Sequence, residues 1–123
     1  MPVRVKGIGV DLVSLARARR FLERHPAKAF RRLLTASEKK RFPANRLTPA
    51  AFARLFAAKE AFFKAVGESW MGLEGFGAIE IKSFPRGRFR VQSSRFLDRP
   101  GHAEGRFFGT REFVGAQVIL WEN

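Results

Sequence analysis

Three side chains in this sequence have the types and spacing for phosphate chemistry: Asp11, Glu60 and Lys64. Carboxylates are scarce, eleven Asp and Glu against twenty-four Lys and Arg, so one in an apolar setting is informative. Asp11 stands where a strand-like alternation gives way to a helical spacing, and its plain alternative is a helix N-cap. Glu60 and Lys64 are spaced i, i+4 in the favourable order, and as an exposed pair they would be worth only about 0.3–0.5 kcal/mol. Their segment, Phe56-Ala57-Ala58-Lys59-Glu60-Ala61-Phe62-Phe63-Lys64-Ala65, is more apolar than an ordinary solvated face. If the first strand packs on this helix, Asp11 and Glu60 can share one magnesium ion. Two carboxylates suit Mg²⁺, which keeps several waters and completes its shell with phosphate oxygens. Lys64, one turn further on, would then stabilise charge on those phosphates. Glu60, or a water it orients, is the candidate general base.

Other chemistries are excluded or unsupported. With no cysteine there is no disulfide framework, cysteine-ligated zinc, iron–sulfur cluster or thiol catalysis. His25 and His102 sit in His-Pro and Gly-His contexts with no partner at ligand spacing, and read as surface residues. No nucleophile elbow, Walker loop or dinucleotide fingerprint occurs, and Gly7-Ile8-Gly9 is only a fragment of a glycine-rich loop.

The elements that must position these residues follow from the pattern. Val3-Arg4-Val5 alternates like a strand, and Ile8 and Val10 resume the alternation around two glycines, which mark a close approach of another backbone or a ligand. From Leu12 to about Arg24 the spacing is helical, with Leu12, Leu15 and Leu22 on one side. On this helix Arg17, Arg20 and Arg24 form a basic stripe, and Pro26 marks its end. Thr35-Ala36-Ser37-Glu38 reads as a capping box opening a short helix that stops before Pro43. Thr48 as N-cap, Pro49 at the first position and Gly67 as a left-handed stop bound a helix running to about Val66. Its core face carries Phe52, Phe56, Phe63 and Val66, and a second stripe holds Ala53, Ala57, Glu60, Lys64 and Gly67. Strands are expected at Ile79–Ile81, at Phe89–Val91 after the Pro85-Arg86-Gly87 turn, and from Phe113 to Trp121. The expectation is an α+β fold: a single domain over residues 1–123 with helices packed on a small, mostly antiparallel sheet.

The whole chain sets the partner class. Its 123 residues, 46% apolar, make one domain's worth of sequence with material for a core. The net charge is +13, and residues 1–46 alone hold thirteen basic and three acidic side chains. Such asymmetry points to a polyanionic partner, the plain alternative being a solvated arginine-rich surface. No apolar run approaches the ~20 residues that span a bilayer. The N-terminal residues lack the apolar region of a signal peptide. The expected setting is the cytoplasm, with no membrane partner.

Three stretches carry a resemblance. Gly7-Ile8-Gly9-Val10-Asp11-Leu12, then Phe30-Arg31-Arg32-Leu33-Leu34-Thr35-Ala36-Ser37-Glu38, then Phe56-Ala57-Ala58-Lys59-Glu60 through Lys64 to Gly67 resemble, in order and spacing, the signature motifs of the 4′-phosphopantetheinyl transferases. The length is similar to the short, holo-acyl-carrier-protein synthase type. The resemblance implies transfer of the phosphopantetheine arm of coenzyme A to a serine of an acyl carrier protein, releasing adenosine 3′,5′-bisphosphate. It implies Asp11 and Glu60 as Mg²⁺ ligands, Lys64 on the pyrophosphate, and Lys64, Gly67 and Thr110 against coenzyme A. It further implies docking of acidic carrier protein on Arg17, Arg20 and Arg24, and a homotrimer with sites between chains. The setting it implies is lipid metabolism, such as fatty acid biosynthesis. Leu55, Phe89 and Gly109 depart from the family's usual Arg, Pro and His, on the nucleotide side of its pocket. The other readings are a catalytically weak homologue that binds carrier protein and a basic nucleic-acid-binding protein. The second is disfavoured because the chain has fourteen Phe and no Tyr, and the only aromatic hint is Phe107-Phe108 beside Arg106.

Overall fold

Two glycines let a strand lie directly on a helix, and the rest of the architecture follows that contact. The computed structural model describes residues 3–67, 72–97 and 102–122. The strand is β1 (Arg4–Ser14) and the helix is α4 (Pro49–Val66). A Cβ on Gly7 would lie 1.9 Å from the Ala65 carbonyl oxygen, and one on Gly9 would lie 1.8 Å from that of Ala61. Only glycine permits this backbone-to-backbone approach. α4 is bounded as its residues dictate. The Thr48 hydroxyl accepts the Ala51 N–H, Pro49 opens the first turn, and Gly67 closes the helix at φ +83°.

Between these two elements lie three short helices, α1 (Leu15–Arg24), α2 (Pro26–Leu33) and α3 (Ala36–Lys39). After α4 come a 3-10 segment (Gly72–Ala78), β2 (Glu80–Ser83), β3 (Arg88–Gln92), β4 (Ala103–Gly109) and β5 (Phe113–Glu122). Sheet order is β1-β5-β4-β3-β2, and the pairings are antiparallel. This is the α+β architecture expected. α4 covers one face, and the buried core includes Phe62, Phe76, Phe89, Leu33, Ile81 and Val118.

Four local expectations are corrected. β1 continues through Asp11 to Ser14, because its ladder with β5 holds as far as Ser14↔Phe113, so α1 starts at Leu15 with Ser14 as its cap. Leu12 is therefore not on a helix face. It lies with Ile8 and Val10 on the outer, exposed side of β1. Pro26 does not merely end α1; it opens α2, where its missing N–H costs nothing. β4 adds to the strands expected: a core strand is one account of Phe107-Phe108, but Gly105 and Gly109 interrupt the apolar face that would mark its extent. Gly105 is required there: a Cβ would meet the Phe89 ring at 2.2 Å.

A buried ion pair crosses the helical layer. Lys59 and Glu38 have fully buried side chains, with Lys59 Nζ 2.7 Å from Glu38 Oε1. The capping box expected at Thr35 forms, and its Glu38 is the same residue.

Candidate active site

With odd-numbered β1 residues turned to α4, Asp11 follows Gly7 and Gly9 onto the helix side of the sheet. Its carboxylate accepts a 3.0 Å bond from Lys64 Nζ, which also donates to the Val10 carbonyl at 3.1 Å. The Asp11 side chain is 16% exposed and that of Lys64 is 53% exposed. The lysine is thus anchored to the strand but open to solvent. Glu60 stands one helical turn before Lys64 and is buried. The structure therefore joins Asp11 to Lys64 directly, and the i, i+4 spacing sets Glu60 beside Lys64 on α4.

Asp11 also lines a groove of about 530 Å³. Its apolar floor is Phe21, Phe52 and Phe56, and its basic rim is Arg17, Lys28 and Arg32. Of the three stripe arginines, only Arg17 lines this groove. Arg20 and Arg24 are exposed on α1 but lie outside it. Lys28 and Arg32 escaped the sequence reading because α2 was hidden behind Pro26; the concentration of charge in residues 1–46 was the signal that could have found them.

Thr110 sits in the β4–β5 turn, where its hydroxyl oxygen accepts the N–H groups of Glu112 and Phe113 at 3.1 and 3.3 Å. The Glu112 carbonyl accepts from Leu15 N, so this turn lies at the same end of the sheet as Ser14. Gly67 ends α4, with open space where a Cβ would be. The three family departures have packing reasons. Leu55 and Phe89 are core residues, and a Cβ on Gly109 would lie 2.3 Å from the Phe113 carbonyl oxygen. Arg54, next to Leu55, is exposed, with its guanidinium 5.9 Å above the Phe107 ring.

The donor set bears on a metal. Among the described residues no three His, Cys, Asp or Glu side chains gather as a protein cage. Asp11 and Glu60 offer two hard carboxylate ligands, which fits an ion that keeps water and takes phosphate oxygens, as Mg²⁺ does. His25 is exposed, as expected of a surface residue. His102 is half-buried, its ring stacked on Trp121 at 5.8 Å, which corrects its surface assignment. Elsewhere, burial pushes the Lys59 ammonium below the usual lysine range, and the Glu38 carboxylate opposes that shift.

Aromatic and basic groups also meet on the outer face of the sheet. Arg90 lies 5.4 Å above the Phe84 ring, and Arg88, Arg106 and Trp121 share the same depression. Arg90 is paired there with Glu104.

Comparison with known proteins agrees with this geometry. The family model of the 4′-phosphopantetheinyl transferase superfamily matches residues 7–118, and the chain belongs to that family. It is 44% identical over 122 residues to a holo-[acyl-carrier-protein] synthase of Halorhodospira halophila, covering 94% of this chain and 97% of that one. Over a 64-residue stretch identity to other curated relatives reaches 52%, and there the chain spans about half of their length. Among solved structures it is similar to the holo-[acyl-carrier-protein] synthase of Neisseria meningitidis, with 30% identity, TM-score 0.80, and coverage of 98% and 100%. It is also similar to that of Bacillus anthracis in complex with CoA (3′,5′-ADP), with 28% identity, TM-score 0.74, and coverage of 97% and 98%.

Proposed function

We propose that this chain transfers the 4′-phosphopantetheine group of coenzyme A to a serine of an apo acyl carrier protein. One observation carries the reading: Asp11 and Lys64 meet 3.0 Å apart, one turn from buried Glu60, and Asp11 opens onto a groove with a basic rim. The solved relative with coenzyme A named in its complex supports the donor.

In the reaction the serine hydroxyl oxygen attacks the β-phosphorus of coenzyme A, and a new P–O bond forms. The bond from that phosphorus to the bridging oxygen breaks, and adenosine 3′,5′-bisphosphate leaves with the electron pair. The serine proton passes to Glu60 or to a water it orients. Lys64, half exposed and held by Val10 and Asp11, stabilises the charge that grows on the departing phosphate. Asp11 and Glu60 would hold Mg²⁺, which when bound supplies further neutralisation of the pyrophosphate. Gly67 and Thr110 border the nucleotide. Arg17, Lys28 and Arg32 receive the acidic carrier; Arg20 and Arg24 act at longer range.

The finer readings belong to the same proposal. The protein is one domain, works in the cytoplasm and serves lipid metabolism. Among its described residues no helix is long and apolar enough to cross a membrane. The assembly is a homotrimer, supported by the exposed Ile8, Val10, Leu12 and Ile119 on the outer sheet face, since contiguous exposed apolar surface marks an interface. The test is to incubate the protein with apo carrier protein, coenzyme A and Mg²⁺ and weigh the carrier. A phosphopantetheine mass increment is expected. Carrier that binds but gains no mass would instead identify a docking homologue.

A further inference from the structure

We infer that Lys59 is a positioning residue for the carrier protein: it ties the two walls of the groove together at a fixed spacing. The inference rests on the reading of that groove as the carrier site. Lys59 Nζ donates to the Leu33 carbonyl at 2.5 Å, to Glu38 Oε1 at 2.7 Å and to the Phe76 carbonyl at 3.0 Å. All three ammonium protons are engaged, and the side chain is fully buried.

Two of these bonds reach the groove. Leu33 ends α2 and directly follows Arg32, which lines the basic rim. The Phe76 ring packs edge-on against Phe56, which lines the floor, with centroids 5.4 Å apart and planes at 89°. Lys59 belongs to α4, the helix that carries Phe52 and Phe56. One ammonium group thus sets the end of α2 and the 3-10 segment relative to α4.

Stability alone does not account for this choice of residue. A buried ion pair is a poor source of stability, and an apolar side chain of similar volume serves at least as well. An apolar side chain cannot hold two carbonyl groups in place. Glu38 has separate work, accepting the Thr35 N–H at 2.9 Å and the Ile81 N–H at 2.8 Å. The lysine and the glutamate can therefore be tested apart.

The experiment measures kcat, KM for apo carrier protein, KM for coenzyme A and thermal stability in the unaltered chain, in Glu38→Gln, and in the double variant Glu38→Gln with Lys59→Met. Glu38→Gln leaves the bonds from Lys59 to Leu33 and Phe76, so its carrier KM should stay within about twofold of the parent. The double variant removes the tie without leaving a buried charge, so its carrier KM should rise about tenfold while KM for coenzyme A holds. A folded double variant with unchanged carrier KM overturns the inference. So does a carrier KM that rises equally in both variants in step with lost melting temperature, which is what a purely structural pair would give. If the double variant fails to fold, Glu38→Gln with Lys59→Gln replaces it, since the shorter amide can still donate to one carbonyl. Carrier KM raised about threefold with KM for coenzyme A held supports the positioning role, and unchanged KM overturns it. An unaltered chain that transfers nothing to carrier protein overturns the underlying reading first, before any variant is made.

Discussion

Asp11 has two demands on it, as the observed partner of Lys64 and as the proposed metal ligand. The 3.0 Å bond keeps the lysine against β1, and the lysine's half-exposed end remains available to phosphate. Replacing Asp11 or Glu60 by Ala removes a proposed metal ligand without opening a large cavity. Both variants are expected to abolish transfer while circular dichroism stays that of the parent; Mg²⁺-dependent mass increment on the carrier with either one overturns the assignment. Lys64→Ala should lower turnover by about 10²–10³, the range for losing one donor aimed at developing charge, with little change in the Mg²⁺ concentration for half activity. All three residues were legible because an acid or base inside an apolar run stands out. The Lys59–Glu38 pair was not, since a contact 21 residues apart in the chain leaves no periodic trace.

At the scale of elements, boundaries were readable where a residue type is tied to one backbone geometry. Thr48, Pro49 and Gly67 bounded α4, and the Thr35 capping box opened α3. β1 ran on past its expected end, because the i, i+3 spacing of Leu12 and Leu15 reads as helical while the ladder with β5 holds to Ser14↔Phe113. The glycines of β1 fix its distance from α4. In Gly9→Ala the new Cβ would meet three backbone atoms, Ala61 O at 1.8 Å, Ala65 N at 2.7 Å and Ala61 C at 2.9 Å, none of which can rotate away. A loss of about 1–3 kcal/mol is expected from such overpacking, read as a lower denaturant midpoint with an unchanged slope. The groove between α1, α2 and α4 gives a sharper contrast. Arg17→Glu and Arg32→Glu should raise carrier KM at low salt with KM for coenzyme A held, and the defect should shrink as salt rises. Arg24→Glu, outside the groove, should do less. Equal effects from all three would mean that only net charge matters. Nucleic-acid binding would show instead as tight, steeply salt-dependent affinity for any DNA or RNA.

The whole molecule presents an edge strand whose outer face is apolar. Ile8, Val10 and Leu12 are each at least half exposed, and fully burying one such side chain is worth about 1.5–3 kcal/mol. Contributions of that order from both copies, joined by Ile119 on β5, act in the direction of association. Activity per chain should accordingly fall on dilution through the dissociation range, with light scattering reporting loss of the proposed trimer in step. A fully active monomer overturns the assembly. The arginines of the outer face, Arg88, Arg90 and Arg106, share a depression with Ile119, so charge borders the apolar strip on its β5 side.

β1 has no idle side: odd positions hold Gly7, Gly9 and Asp11, and even positions hold Ile8, Val10 and Leu12. A strand alternates strictly, so adding or deleting a single residue between Gly7 and Ser14 would swap the two sets for everything on one side of the change. Asp11 would turn to solvent and a leucine would be driven into the helix backbone. Point substitutions among β-branched residues at the even positions carry no such hazard. The chain has its own place for an odd residue, because the ladder skips between Val5↔Trp121 and Gly7↔Leu120, leaving Lys6 as the extra count. Lys6 is exposed, with Glu122 3.6 Å from its ammonium. Changes in length among descendants of this gene should collect there, and the eight β1 residues that follow should keep their number, with identities free to drift only at the even positions.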